Sequence, residues 1–456
     1  MKHNGASIFN RRQFFRSATG LSLSLPFLLH AEEPKRAFGL VNTEQYFIHF
    51  FLLGAADGFL AIDPVVGDKA RSGRFDPTHT SSDFSATAVP GKDQLLLGKG
   101  FAPAAGAFSK MPTAFVRGIY IEVTAHATAQ NYNYSGRSSL SATRTYPSIG
   151  QQMANVTGGF PGHICLGPNP PLVDTDKHLQ PRALLSANNV DSIANLVDRP
   201  GLRFNYKTSQ RIKDVSDKAI HEASQLIESL DNLRAKNLSS SYQGGLKAWN
   251  NAKIALDRLY QSDLGLSLRL TEDTLDRYGG RSGGEIAQLV AGTFLSIKSG
   301  ICPILTVSFD GFDTHFNHFA NHVPLQQQFA TALSALVADL SATPALTGGS
   351  LADKTTILIT TDFGRTPDLN GNRGTDHWDA SWAVVMGAGI RDNTIIGGTD
   401  TSGKALGWSQ GTLVPFAKDH SNALFPEHLI ATILKKQGFP DAASLISEVQ
   451  LHELLA

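Results

Sequence analysis

Apolar residues in this chain gather into short unbroken runs, separated by stretches where apolar and polar residues alternate at helical spacing. Tyr46 to Leu53, Phe115 to Val123, Ile304 to Ser308, Thr355 to Thr361 and Ala383 to Met386 are of strand length and rich in β-branched and aromatic residues. A strand that is apolar at successive positions buries both of its faces, so these runs predict a mainly parallel sheet covered on both sides. The covering layers are predicted at Glu285 to Ile297, Pro324 to Leu340 and Pro426 to Lys436, where apolar residues recur with a helical period. Strands alternating with helices define an α/β class. Two segments interrupt the alternation. Residues 66–112, rich in Gly, Ser, Asp and Pro, read as an irregular insertion. Residues 207–276 place Ile212, Val215, Ala219, Ile220, Ala223, Leu226, Ile227 and Leu230 at helical spacing and predict two or three helices beside the sheet.

With 456 residues, 41% hydrophobic and 18% charged, the chain has a globular composition, which excludes disordered and fibrous classes. Its formal charge is zero, but residues 1–31 carry Lys2, Arg11, Arg12 and Arg16 and no acid, leaving 36 basic against 40 acidic residues in the remainder. That slightly acidic body offers no basic patch for nucleic acid, and no run of about 18 apolar residues predicts a membrane anchor.

The N-terminus changes the picture. Asn10-Arg11-Arg12-Gln13-Phe14-Phe15-Arg16 precedes a weakly apolar stretch from Ala18 to Leu29, and Leu29-His30-Ala31 is an acceptable cleavage site. This pattern resembles a twin-arginine signal peptide over residues 1–31 and predicts the twin-arginine translocase as a partner and a periplasmic or secreted destination. The two cysteines, Cys165 and Cys302, could pair across a long loop in an oxidising compartment or stay as buried thiols. They are too few for a thiolate metal site.

In open α/β sheets, ligands bind beyond the carboxyl ends of the strands. Three predicted strands end in chemistry-bearing residues: Asp57 after the first, Asp313 and His315 after the run from Ile304, and Asp362, Arg365, Asp376 and His377 after the run from Thr355. Carboxylates and imidazoles from separate loops suit a divalent ion such as zinc, manganese, magnesium or calcium. Arg365 would match an anionic ester oxygen pair. His126, after the second strand, either reaches the same mouth or sits hydrogen-bonded in a loop. His318 and His322, at i and i+4, read as a solvated helix face. Gly280-Arg281-Ser282-Gly283-Gly284 matches the spacing of a nucleophile elbow, but LTEDTLDRY before it is helix-like, so Ser282 reads as the cap of the helix from Glu285. Nucleotide-binding glycine loops are absent from the sequence.

Taken in order, Leu53-Gly54-Ala55-Ala56-Asp57-Gly58, Gly311-Phe312-Asp313-Thr314-His315, Asp362-Phe363-Gly364-Arg365-Thr366-Pro367 and Gly374-Thr375-Asp376-His377-Trp378 resemble the twin-arginine-exported family called domain of unknown function 1501. Gly398-Thr399-Asp400 and Pro426 to Leu434 extend the resemblance over nearly all of the mature chain. That family is similar in fold to alkaline phosphatases and sulfatases. The resemblance implies a three-layer α/β/α sandwich over 38–440, with a helical insertion near 207–276 and a C-terminal helical tail at 441–456. It also implies a metal site formed by Asp57, Asp313, His315, Asp362 and His377, with Arg365 on the anion and His126 assisting proton transfer. Phe363 stands where the superfamily places a metal-binding His, and Asp362 where the closer family usually has Glu. Ala125-His126-Ala127 replaces the family's usual Ser-His-Phe, leaving Thr124, Thr128 or an activated water as nucleophile. The implied function is a metal-dependent phosphate or sulfate ester hydrolase. The alternative is a non-catalytic exported protein that binds a partner or glycan, or assists cell-surface assembly, on the same scaffold.

Overall fold

Among the described residues, eight strands pair into one sheet: β1 (Tyr46–Leu52), β2 (Thr113–Tyr120), β3 (His163–Leu166), β4 (Leu184–Ala187), β5 (Ile304–Phe309), β6 (Thr355–Thr361), β7 (Ala380–Gly387) and β8 (Thr394–Gly397). Their order across the sheet is β8-β2-β7-β6-β1-β5-β3-β4. Every pairing is parallel except those of β7, which runs antiparallel to both β2 and β6. The computed structural model describes residues 44–64, 85–138, 146–157, 162–168, 184–187, 270–300, 302–409 and 411–456. The leader and nearly all of the 207–276 segment lie outside the described residues.

The strand period explains the layers. On β1, Ile48, Phe50 and Leu52 face a core that includes Leu289 and Val290 of α3 (Gly284–Lys298) and Phe329, Leu333 and Leu336 of α4 (His318–Ala342). Phe47 faces the opposite core, with Ala129 of α1 (His126–Ser135), Met153 of α2 (Ile149–Thr157) and Ile430 of α5 (Pro426–Lys436). The result is an α/β/α arrangement around a mixed sheet. Among the described residues, no helix is long and apolar enough to cross a membrane.

Several expectations change. The described part of 66–112 is ordered: Thr87–Val89 and Lys92–Leu97 pair antiparallel, and Ala105–Lys110 is helical. Val89, Leu95, Leu97 and Phe108 enter the core, so polar composition hid a packed element there. His126 does not sit in a loop but is the first residue of α1. α4 begins at His318, and His318 and His322 are buried rather than solvated. α3 is capped by Gly283, not by Ser282. Cys165 and Cys302 are both free and buried.

Candidate metal centre

The sheet order places five strands side by side, β2-β7-β6-β1-β5, and each contributes a loop to one edge. Because β7 is antiparallel, its entry lies at the same edge as the exits of its neighbours. That entry holds His377, whose two-residue strand His377–Trp378 pairs with Gly364–Arg365 just after β6. His126 follows β2, Asp362 ends β6, and Asp313 and His315 follow β5.

Two glycines let these loops close. Gly54 adopts φ +103°, and a Cβ there would stand 2.3 Å from the Asp313 nitrogen. A Cβ on Gly374 would lie 1.9 Å from the carbonyl carbon of His315. Any larger residue would push the 313–315 loop out of place.

Three imidazoles converge on the Asp313 carboxylate. His126 Nε2 lies 3.4 Å from Oδ2, while His315 Nε2 and His377 Nε2 lie 3.0 and 3.5 Å from Oδ1. His315 Nε2 and His377 Nε2 are 3.1 Å apart. Each ring is held from behind at Nδ1: His126 by Asp362 Oδ2 at 2.5 Å, His315 by Asp376 Oδ1 at 3.1 Å, and His377 by the Thr124 carbonyl at 2.8 Å. These acceptors claim the Nδ1 protons, so in the neutral rings every Nε2 presents a lone pair to the same space. Lone pairs facing one another and a carboxylate repel unless a cation lies between them. Donors about a tetrahedral ion with bonds near 2.0 Å would be separated by about 3.3 Å, close to the 3.4 and 3.5 Å that separate His126 Nε2 and His377 Nε2 from the Asp313 carboxylate. His126, Asp313 and His377 offer ligand atoms within 4.8 Å of one another. His126 Nε2 is buried and lacks a hydrogen bond, an orphaned acceptor that a cation would satisfy. The residues fit a divalent metal.

Local electrostatics agree. The hydrogen bond to Asp362 raises the His126 pKa despite burial. Burial lowers that of His377 and, together with the charges of His126 and Arg365, outweighs the Thr124 hydrogen bond and the Asp313 charge. Burial raises the Asp313 pKa, but the hydrogen bond and charge of Arg365, with the charges of His126 and His315, more than offset it and hold the carboxyl below its usual range.

The other expected site residues lie close by with different partners. Asp57 is outside the cluster: Oδ1 accepts the Phe59 N–H at 2.8 Å, and Oδ2 accepts His318 Nε2–H at 2.9 Å. Asp362 is fully buried and stands behind His126, where it also accepts from Gln130 at 3.1 Å. Arg365 is buried, donating to the carbonyls of Gly54, Ala55, Phe312 and Thr375 as well as to Asp313. Its guanidinium is enclosed by protein acceptors and sets the charge of Asp313. Phe363 packs its ring 4.4 Å from that of His377 and 4.8 Å from that of His126, forming the apolar wall of the cluster.

Sequence reasoning missed the supporting residues. Gln130 and Asn133 lie on α1, and Asn133 donates to the Asp362 carbonyl at 2.7 Å. They lie four and seven residues after His126, on the same helix face, and would have been signalled once a helix was placed there.

The fold and cluster define a layered α/β protein with a histidine–aspartate metal-type centre at its strand ends. The chain belongs to the family described as "Protein of unknown function (DUF1501)", whose model matches residues 46–447. A comparison with curated proteins finds no match. Among solved structures, an alkaline phosphatase from the Antarctic bacterium TAB5 is similar with a TM-score of 0.32 and 10% identity, over 77% of this chain and 94% of that one. That likeness is too distant to bear on the chemistry of this chain.

Proposed function

We propose that this protein is an exported, metal-dependent hydrolase of phosphate or sulfate esters, with an ion held by His126, Asp313 and His377. The observation that carries the reading is the buried, unpartnered His126 Nε2 facing Asp313, with its Nδ1 proton committed to Asp362. A donor set of two imidazoles and one carboxylate favours zinc over magnesium or calcium, which prefer all-oxygen sites. An ion held by His126, Asp313 and His377 would supply Lewis-acid polarisation of an ester oxygen and a nucleophilic water near neutral pH. That matches the replacement of the family's serine by Ala125.

His126 thereby moves from the proton-transfer role expected of it to the ligand set. His315 takes the former role: it stands at the more open side of the cluster, and Asp376 on its Nδ1 orients the ring to pass protons outward. Arg365 supports the site indirectly, by keeping Asp313 ionised. Its enclosure also favours a second reading, a centre that binds an ion on a partner- or glycan-binding scaffold without turning over esters.

The test uses mature protein recovered from the periplasm. Replacing Arg11 and Arg12 with Lys is expected to leave none there, and undiminished export would remove the twin-arginine part of the reading. Zinc-loaded protein is assayed on chromogenic phosphate and sulfate monoesters. Turnover that is lost on chelation, and lowered at least about 100-fold by His315→Ala with zinc still bound, supports the hydrolase. Stoichiometric zinc without turnover on either ester class favours the binding scaffold.

A further inference from the structure

Beside the metal-type cluster lies a closed ring of buried hydrogen bonds that the proposed chemistry does not use. Asp57, Thr314, His318, His322 and Thr375 are all buried. The Asp57 N–H donates to His322 Nε2 at 2.8 Å, so that nitrogen carries the lone pair and the ring proton sits on Nδ1. His322 Nδ1–H then donates to Thr314 Oγ1 at 2.9 Å. The Thr314 hydroxyl donates to His318 Nδ1 at 2.7 Å, and His318 Nε2–H donates to the Asp57 carboxylate at 2.9 Å. The circuit starts and ends on Asp57. Every ring nitrogen has a partner, so neither histidine keeps a lone pair for an ion. The Thr375 hydroxyl reaches His318 Nδ1 as well, at 3.1 Å.

The positions of the two threonines give the ring its consequence. Thr314 lies between Asp313 and His315, and Thr375 lies two residues before His377. The ring therefore fastens two ligand-bearing loops to α4 and to the chain leaving β1. Without it, repulsion among the lone pairs of the metal-free cluster would be relieved by moving those loops apart. Each ion bound would then have to order them again, at a cost in affinity.

We propose that this ring, with His318 and His322 as positioning residues, sets the ion affinity of the cluster by holding the loops of Asp313 and His377 at ligand spacing before the ion arrives. The inference rests on the metal reading above and deepens it. It also gives Asp57 the duty of an anchor in place of a ligand.

The test is calorimetric titration of zinc into metal-free protein, beside the melting temperature of the same sample. Thr314→Val keeps the side-chain shape but removes the hydroxyl that joins the two histidines. Thr314→Ser restores it. Thr314→Val is expected to bind one zinc at least about tenfold more weakly than wild type, and Thr314→Ser within about threefold of wild type. Thr375→Val, which removes a single branch of the ring, is expected to fall between them and serves as the test if Thr314→Val does not fold. A melting temperature lowered with zinc affinity unchanged would show a purely structural role and overturn the proposal. So would a Thr314→Ser affinity as weak as that of Thr314→Val. Wild-type protein that takes up no zinc would instead sink the metal reading on which the proposal stands.

Discussion

Asp362 shows how a single side chain can be correctly located and differently employed. Its place directly after β6 marks it as a site residue, but whether such a carboxylate faces an ion or an imidazole depends on what approaches from α1, an element not legible in the sequence. In the structure it accepts the His126 Nδ1 proton through Oδ2, while Oδ1 is buried without a partner. A negative charge behind a ligating imidazole raises its basicity and fixes its tautomer. Asp362→Asn keeps the size and a hydrogen-bond acceptor but removes the charge. It is expected to weaken zinc binding about 10- to 100-fold. Because the buried charge is incompletely paired, stability should hold or rise, which thermal melting of the metal-free variant would show. Unchanged zinc affinity would remove Asp362 from the site. Asp57 and Arg365 were legible in the same way and differ for the same reason: strand-end placement predicts the edge on which a residue lies, not the partner it finds there.

At the level of elements, the strands that could be read are those that span six to eight residues in the structure. β3, β4 and β8 are four residues each, below the length at which a run stands out from chance. The runs also concealed polar residues. His49 of β1 and His163 of β3 are fully buried, each bonded through Nε2 to a threonine of a neighbouring strand, Thr360 and Thr306 respectively. Burial lowers the pKa of both to about 3, with the charge of His163 adding to the effect on His49. The unfolded imidazoles titrate near 6.5. Between those values the unfolded chain binds protons that the folded chain refuses, so this stability is complete above about pH 6.5 and is lost as the pH falls toward 3. Each histidine contributes a slope of about 1.4 kcal/mol per pH unit within the window. Denaturant titrations at pH 7, 6, 5 and 4 should show the fall, and His49→Gln should flatten it by one histidine's share. An equally steep fall in the variant would show that His49 does not carry the effect.

For the whole molecule, alternating strand and helix patterns were enough to predict a layered α/β protein, and the structure has that architecture. The order of the strands was not in the pattern, because any order of parallel strands buries the same runs. That order is what assembles the centre, since it sets β2-β7-β6-β1-β5 side by side and reverses β7 so that His377 enters at the edge where the others leave. The short ladder that carries His377, only two residues long, was equally out of reach. The centre is therefore a property of topology, built from residues that are far apart in the chain.

The most direct test is an anomalous difference map, measured at the zinc absorption edge on crystals grown with zinc. The account predicts one strong peak bounded by His126 Nε2, the Asp313 carboxylate and His377 Nε2, with His315 beside it. No peak there, or a single peak between Asp57 and His318, would contradict it.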